Sequence, residues 1–289
     1  MSARKLISFD WALKRLLRSK ANFVVLEGFL SELLHTSLTI LEILESESNK
    51  EDSEDKSTRL DLKVKSKDGT LFLIELQYSR ELDFLHRILF NTAKAITEHL
   101  WQGDNYQNIS KVISVNILFF DLGHGKDYVY HGQTKFTGIH CRDELVLSQG
   151  QQRLFHCQKP EDIYPEYYLL KVNQFDDVAK DGLDQWIYFL KHEYIKPEFN
   201  AAGLVEATKV LDYMKLPPEE QRAHDRHIDE RRQQTSAYLS YYEDGKVEGK
   251  AEGKTEGKLE TAVNLKKMGL SLAQIAQATG LSEQEIEAL

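Results

Sequence analysis

Two runs of alternating polar and apolar residues, Arg59–Lys65 and Leu71–Tyr78, flank the short polar segment Lys67–Gly69. An alternation with a period of two is typical of β-strands that bury one face, and a glycine after an aspartate is typical of a tight turn. The pattern therefore predicts two antiparallel strands joined by a short loop. One face of this hairpin is expected to be apolar, and the other is expected to carry the charged residues.

The length of the loop decides which side chains share a face. A two-residue turn at Asp68–Gly69 would set Asp61 opposite Leu76 and turn the apolar face of one strand toward the polar face of the other. A three-residue loop, with Gly69 left-handed in a G1 bulge, avoids this mismatch and pairs Asp61 with Glu75. Their Cβ atoms would then lie ~5 Å apart. Because two facing carboxylates repel each other, this register predicts a cation between them.

Helices and further strands surround the hairpin in the predicted fold. Apolar residues recur every three or four positions over Phe9–Leu34, with a break near Lys20–Asn22, which predicts two helices. The same spacing over Leu82–Trp101 predicts a third helix, and the acidic segment Glu45–Asp55 is expected to be a solvated loop. Further strands are predicted at Lys111–Asp121, Tyr128–Phe136, Glu144–Leu147 and Tyr167–Val172. Together these elements predict an α/β core, and the chain after Gly182 is expected to be helical.

Charge and composition exclude several classes of protein. With 41% hydrophobic and 10% aromatic residues, the chain is too apolar to be disordered. The formal net charge of −9 argues against a protein that coats nucleic acid with a basic surface, although it allows a metal-assisted contact with phosphate. No apolar stretch approaches the ~18 residues of a spanning helix, so no membrane partner is expected. The polar N-terminal segment and the presence of only two cysteines favour a cytoplasmic location.

The hairpin and its surroundings resemble the PD-(D/E)XK nuclease superfamily. The resemblance rests on the acid that follows Leu60, on Glu75–Gln77 in the second strand, and on a following helix that carries Arg87. Three stretches are similar, more narrowly, to the Rpn family of recombination-promoting nucleases and transposases. These stretches are Lys56–Asp61, Ile74–Gln77 and the downstream pattern Gly103, Tyr106 and Ile113–Phe120. The similarity extends from about Asp10 to Val172 and, more loosely, through the tail.

This resemblance implies a restriction-endonuclease-like core, in which helices flank a mixed sheet. It also implies a DNA endonuclease of the transposase or recombination-promoting type, with Mg²⁺, or Mn²⁺ in its place, as the cofactor and DNA as the partner. Two residues depart from the family pattern. Leu60 stands where the superfamily has proline, and Gln77 stands where it has the catalytic lysine, so Gln77 brings no positive charge to the site.

The expected metal ligands are Asp61 and Glu75, with the carbonyl of Leu76 as an additional ligand. Such a site suits Mg²⁺, which takes one or two protein carboxylates and leaves other positions for water and phosphate. The ion would act as a Lewis acid and activate water. Gln77 shares the face of Glu75 and is expected to orient the attacking water through its amide.

The positive charge that Gln77 does not supply is expected from Lys63 or Arg87. Lys63 follows Asp61 by two residues on the same face, and Arg87 lies on the next helix, so either side chain could approach the scissile phosphate. Asp10, in the first helix, matches an acid that the family often has there. Neutralising either acid of the metal site is expected to abolish cleavage and, by relieving repulsion, to stabilise the metal-free protein.

Other interpretations stay open at this point. The two acids could instead pair with Lys63 and Arg87 on a solvated sheet face. The protein would then be a catalytically inactive nuclease-fold scaffold that binds nucleic acid or protein, and the glutamine in place of lysine favours this alternative. A third interpretation is a purely protein-binding role. His140–Cys141 and His156–Cys157 offer four zinc ligands, but neighbouring residues on a strand point to opposite faces, which disfavours zinc.

The tail contains a repeat in which Gly, Lys and Glu each recur every four residues between Gly245 and Glu260. Like charges then meet at i,i+4, and each glycine costs up to ~1 kcal/mol relative to alanine, so this helix is expected to be weak alone. Packing along the glycine stripe would give a homo-oligomer through the C-terminal helices, and a mobile linker is the alternative. Ser271–Leu289 resembles a helix-turn-helix, but its acidic second helix is not suited to a DNA groove. The expected segments are a nuclease-like domain (1–180), a helical extension (181–243) and the repeat helix with its tail (244–289).

Overall fold

A computed structural model describes residues 6–15, 17, 19–44, 62–99 and 105–289 of the chain. The chain divides into two compact units, with the boundary between Ile228 and Asp229. Asp61 lies outside the described residues, as do Leu60, Gly103 and the predicted acidic loop Glu45–Asp55.

Within the described residues, the first unit is built around a six-stranded mixed sheet. Its strands are β1 (Ile40–Leu44), β2 (Leu62–Ser66), β3 (Leu71–Gln77), β4 (Val112–Leu118), β5 (Val129–Gly132) and β6 (Glu166–Lys171). The spatial order is β1-β2-β3-β4-β6-β5. The β3–β4 and β4–β6 pairs are parallel, and the other neighbours are antiparallel.

The predicted hairpin loop and register are confirmed over the described residues. Leu62 pairs with Ile74, and the ladder continues to the pair of Lys65 and Leu71. The loop contains three residues and ends at Gly69, whose φ of 91° is left-handed, as a G1 bulge requires. The amide of Ser66 donates to the carbonyl of Thr70 and closes the loop. The predicted pair of Asp61 and Glu75 belongs to this same register, but Asp61 lies outside the described residues, and so this pair stays a prediction.

Helices cover both faces of the sheet, which confirms the predicted fold class. The helices are α1 (Phe9–Arg15), α2 (Phe23–Leu34), α3 (Phe84–Glu98), α4 (Gln149–Phe155), α5 (Gly182–His192), α6 (Leu204–Val210), α7 (Pro218–Lys267), α8 (Leu272–Thr279) and α9 (Glu283–Glu287). α1, α2, α5 and α6 share one hydrophobic core with the sheet face that carries Phe72 and Ile74. On the other face, α3 packs through Ala95 against Leu71 and Leu73.

The hairpin face that was expected to carry the charged residues carries them, but it is buried. The face that carries Lys63 and Glu75 also carries Leu71 and Leu73, and α3 buries all of them. Lys63 is 5% exposed and Glu75 is 2% exposed. The charged residues of the hairpin are therefore enclosed between the sheet and a helix and do not form a solvated face.

Several peripheral elements differ from the predictions. Strand β1 was missed because Ile40–Leu44 holds four apolar residues around one glutamate and therefore shows no clear alternation. The predicted strand Glu144–Leu147 is wrong, since only an isolated bridge joins Glu144 to Thr137 there. Helix α4 was also missed. It is short and entirely surface-lying, so no apolar stripe marks it in the sequence.

The C-terminal third is helical, as the sequence indicates, but it is not uniform. In α5, Trp186 and Phe189 pack edge-to-face against Phe9 of α1, so α5 belongs to the core of the first unit. The predicted domain boundaries at residues 180 and 243 stay predictions. No helix in the described part of the chain is long and apolar enough to cross a membrane.

The second unit has a small core of its own. Ala262 at the end of α7 packs with Ile275 of α8 and Ile286 of α9. Ser271 and Ser282 cap α8 and α9 through capping boxes. The tail thus contains two capped helices with a short turn between them.

Close contact between α2 and the start of α6 generates a stability prediction. A Cβ atom on Gly28 would lie 2.5 Å from the Cα of Gly203 and would also overlap the carbonyl of Ala202. Both atoms belong to backbone, which cannot move aside without shifting a helix. Gly28→Ala should therefore lower the free energy of unfolding by about 1–3 kcal/mol. Gly150→Ala in exposed α4, where the nearest atom is 4.0 Å away, is the matched control and should not destabilise. Equal melting temperatures of the two variants would contradict the prediction.

Candidate active site

The candidate site lies under the N-terminal turns of α3, at the carboxyl end of β3. Glu75 points to the α3 side of the sheet and pairs in register with Asn116 of β4. Gln77 follows on the same face at the last position of β3. Helix α3 begins seven residues later and runs back over the sheet, so its first turns return to these two side chains.

Arg87 is the cation that the structure brings to Glu75. Its Nη2 atom lies 2.5 Å from Oε1 of Glu75, as an ion pair whose angles do not meet those of a hydrogen bond. Its Nη1 atom lies 3.1 Å from the carboxylate of Glu81, and its guanidinium carbon lies 5.1 Å from the centre of the Phe84 ring. One guanidinium therefore balances two carboxylates while it stacks on an aromatic ring.

Gln77 joins the same network through Glu81. Its amide Nε2 donates to Oε1 of Glu81 at 2.9 Å and to the carbonyl of Ser79 at 3.1 Å. Sequence reasoning missed Glu81 because the predicted third helix began at Leu82, which left Glu81 without a role. Its position four residues after Gln77 and six before Arg87 is the signal that could have found it. Glu75, Gln77, Glu81 and Arg87 form one connected set.

The backbone of Leu76 points away from β4. The carbonyl of Gln77 accepts from the amide of Phe119, which follows β4, and successive carbonyls on a strand alternate in direction. The Leu76 carbonyl therefore points to the β2 side of the strand. The Leu76 side chain lies in the core on the opposite face of the sheet from Glu75.

Lys63 is not brought to Glu75. Its Nζ lies 2.8 Å from Oε2 of Glu98, near the far end of α3 from Arg87. Lys63 is cross-strand from Leu73, two residues before Glu75 on β3. Of the two cations expected from the sequence, Arg87 therefore lies in the site and Lys63 is engaged elsewhere.

Asp10 also makes its contact elsewhere. It is 3% exposed in α1, and its Oδ2 atom lies 2.5 Å from Nε2 of His227 near the start of α7. Helix α1 packs in the core on the face of the sheet opposite to α3. The structure thus places Asp10 in a different layer from Glu75, and its catalytic role stays a prediction.

Two further buried polar side chains on the α3 side were missed. Asn91 follows Arg87 by one helical turn, and neither of its amide atoms has a hydrogen-bond partner among the described residues. Lys171 ends β6 in the same row of the sheet as Leu118 and Gln77, and its Nζ lies 5.6 Å from the Tyr130 ring centre, also without a hydrogen-bond partner in the described part. Buried polar groups of this kind normally form a hydrogen bond with an ordered water or a ligand. The sequence feature that could have identified Asn91 is its side-chain amide on the otherwise apolar stripe of α3.

Charged groups at the opposite end of the sheet are fully engaged with one another. Glu166 of β6 accepts from Lys111 at 2.7 Å and from His131 at 2.8 Å. Burial alone would raise the pKa of Glu166, but these two partners outweigh it and hold the pKa below its ordinary value.

Cys157 borders a cavity of about 600 Å³ at this end of the sheet, beside Gly69, and burial raises the pKa of its thiol. A raised thiol pKa disfavours the reactive thiolate, so Cys157 is not activated as a nucleophile.

The described residues contain no group of three or more His, Cys, Asp or Glu side chains that could hold a metal ion. Both cysteines are free thiols, and the zinc alternative of the sequence gains no support from the described part. For the magnesium site, the described part supplies Glu75 and the Leu76 carbonyl, and the predicted second carboxylate, Asp61, lies outside it.

A family model described as "PD-(D/E)XK nuclease family transposase" matches residues 7–238 of the chain. The chain belongs to this family. The match runs from α1 into α7 and includes the whole sheet and the set around Glu75. It confirms the resemblance and the fold that the resemblance implied. Comparisons with curated proteins and with solved structures find no significant match.

The pair of Glu75 and Arg87 changes the expected effect of neutralising the acid. In the absence of metal, Glu75→Gln should now lower stability, because it leaves Arg87 with one carboxylate fewer in a buried place. Arg87→Met should cost about 3–5 kcal/mol for the same reason. The double variant should be less destabilised than the sum of the two single variants by about 0.5–3 kcal/mol. Urea unfolding of the four proteins in EDTA measures this coupling. Additive effects would show that the two residues do not stabilise each other.

Proposed function

We propose that this protein is a metal-dependent DNA endonuclease that hydrolyses phosphodiester bonds, with Mg²⁺ as its cofactor and Mn²⁺ as a substitute. Membership of a nuclease and transposase family supports the general class. The observation that carries the proposal is the hairpin register. The described pairs between Leu62–Lys65 and Leu71–Ile74 have the register from which the sequence predicts Asp61 opposite Glu75, a spacing that suits a shared cation.

The donor atoms fit a hard divalent ion. A carboxylate and a backbone carbonyl offer oxygen ligands, and Mg²⁺ selects oxygen over the sulfur and nitrogen ligands that zinc prefers. Glu75 and Leu76 would hold the ion together with Asp61. When bound there, the ion would supply Lewis acidity and a water of lowered pKa.

The residues around Glu75 then have distinct tasks. Arg87 would hold the Glu75 carboxylate in its orientation, and its guanidinium would contact a phosphate at this end of the sheet, where the cation Lys171 also lies. The amide oxygen of Gln77 would accept a hydrogen bond from the attacking water, since its Nε2 already donates to Glu81 and to the carbonyl of Ser79. In the reaction, water adds to phosphorus, one P–O ester bond breaks, and the leaving oxygen takes up a proton.

A second candidate function has a specific observation in its favour. Arg87 directly neutralises Glu75, and Gln77 is bonded to Glu81 and Ser79, so this part of the site is stable without a metal. Such a closed network is also what a catalytically inactive nuclease-fold scaffold would keep. That scaffold would bind nucleic acid or protein without cutting it. A cytoplasmic location, which the free thiols of Cys141 and Cys157 fit, serves both functions.

Plasmid nicking in MgCl₂ or MnCl₂ tests the proposed metal ligands. Asp61→Asn and Glu75→Gln should each lower the nicking rate by roughly 100-fold or more, since each removes a charged group from the reacting centre. Glu98→Gln is the matched control, because Glu98 is a carboxylate on the same side of the sheet that pairs with Lys63. It should retain activity. Nicking that survives both acid variants would assign the activity to another site, and no nicking by the wild type would favour the inactive scaffold.

The same assay identifies the cation that replaces the lysine of the family. Arg87→Lys keeps the charge but cannot bridge Glu75 and Glu81, and it should slow nicking. Lys63→Met should have little effect, because Lys63 is engaged with Glu98. Gln77→Lys should retain or raise activity if the amide is a weaker occupant of the lysine position. Loss of activity in Lys63→Met with full activity in Arg87→Lys would reverse the two assignments.

We also propose self-association through the glycine repeat of α7. A Cβ atom at Gly245, Gly249, Gly253 or Gly257 would meet no atom within 4 Å, so the stripe is open along its length. Light scattering of the full chain and of a chain that ends at Tyr242 tests this proposal. The shorter chain should show a smaller number of copies per particle. Equal numbers of copies would leave the repeat as a linker.

A further inference from the structure

Helix α3 exposes a row of large apolar side chains on the side that faces away from the sheet. Leu82 just before the helix is 90% exposed, and Leu85, Leu89 and Phe90 are 54%, 57% and 56% exposed. We call these four residues the outer face of α3. Leu82, Leu85 and Leu89 are three and four residues apart and share one stripe, and Phe90 lies about 100° around the helix from Leu89.

The outer face is unusual because the inner side of α3 is apolar as well. Phe84, Ile88 and Ala95 are buried against the sheet. A surface helix normally has one apolar and one polar side, and a helix that is apolar on both sides normally has a partner on both. Adjacent exposed leucines and a phenylalanine also form the kind of patch that marks an interaction site. The outer face is therefore expected to be covered in the working protein.

Charges along one edge of the outer face indicate what covers it. Asp83 and Lys94 lie eleven residues apart, which is three turns plus about 20°, so both lie on the edge next to Phe90. Asp83 is exposed, makes no ion pair within the described residues, and does not cap α3 with its side chain. Lys94 has only a 3.7 Å contact with Glu98 on its own helix. Each is thus available to a charge of opposite sign.

We propose that the outer face binds the outer face of a second copy of this chain, with the two α3 helices antiparallel. A two-fold axis perpendicular to the helices keeps equivalent edges on the same side of the interface. The midpoint between Asp83 and Lys94 falls beside Leu89, which lies toward the C-terminal end of the outer face. An axis at Leu89 therefore sets Asp83 of each copy against Lys94 of the other while the leucines pack together.

A parallel arrangement does not have this complementarity. Equivalent edges would then lie on opposite sides of the interface, and Asp83 and Lys94 would differ in height by about 16 Å along the helix axis. Leucines could still pack in that arrangement, but the charges would remain unpaired. The charge pattern thus selects the antiparallel pair, and it does so without any contribution from the glycine repeat of α7.

Association through α3 would place two candidate sites about one axis, because Arg87 lies on the inner side of the same helix. This consequence rests on the proposed function. A dimer of endonuclease sites can act on both strands of one DNA duplex. The dimer itself does not require catalysis, so its test is separate from the nicking assay.

Sedimentation of the full-length chain over a concentration series tests the interface. The wild type should contain more copies per particle than Leu89→Glu, whatever the α7 repeat contributes, since a glutamate at this position buries a charge at the two-fold axis. Leu89 is exposed in the single chain, so the melting temperature of the monomer should hold. Val205→Glu, at a 51% exposed position in α6, is the matched control and should leave the dimer intact.

Exchanging the charges of Asp83 and Lys94 tests the antiparallel arrangement more directly than Leu89→Glu does. Asp83→Lys and Lys94→Glu should each weaken the dimer roughly tenfold or more, because each creates two like-charge contacts across the axis. The double variant should restore the wild-type affinity, as the charges then attract again with their positions exchanged. A wild type with no more copies per particle than Leu89→Glu, or a double variant no tighter than the single variants, would each overturn the proposal.

Discussion

The three-residue loop between β2 and β3 is the constraint from which the site follows. Because Gly69 adopts a left-handed conformation, the loop closes at Ser66 and Thr70, and each later pair in the hairpin is fixed. A loop shorter by one residue would turn Glu75 and Gln77 to the core that α1, α2, α5 and α6 fill. The carboxylate would then be buried among apolar side chains with no cation. The position of Glu75 thus depends on one backbone torsion six residues earlier, which is about 20 Å along an extended chain.

The organisation of the site also depends on the enclosure of Glu75 by α3. A carboxylate that is 2% exposed needs a compensating charge, and Arg87 supplies it from the first turns of the helix that covers it. The same guanidinium also neutralises Glu81, which in turn holds Gln77. The site is therefore organised before any ligand binds. An organised site costs less to assemble around a substrate than a flexible one.

The sequence predicted those strands, loops and helices that depend on short-range patterns. The alternation over Leu71–Tyr78, the loop at Gly69 and the helical spacing after Phe23 are all short-range signals, and each led to a correct element. Contacts between distant segments left no such signal. Nothing near Lys63 indicates that Glu98 is its partner, thirty-five residues away, and nothing near Asp10 indicates His227. The burial of the charged face was also not predicted, because it depends on where α3 packs on the sheet.

The contact between α2 and α6 has a consequence for how the chain is made. Gly28 in α2 touches the backbone at Gly203, and the aromatic core joins Phe9 and Phe29 to Trp186 and Phe189. During synthesis the first helices leave the ribosome long before the residues that cover them. Until then their apolar sides are exposed to water and to chaperones. The nuclease fold is therefore completed late, only after the ribosome has passed α6, and a chain released near residue 180 would lack the α5 and α6 side chains of its main core.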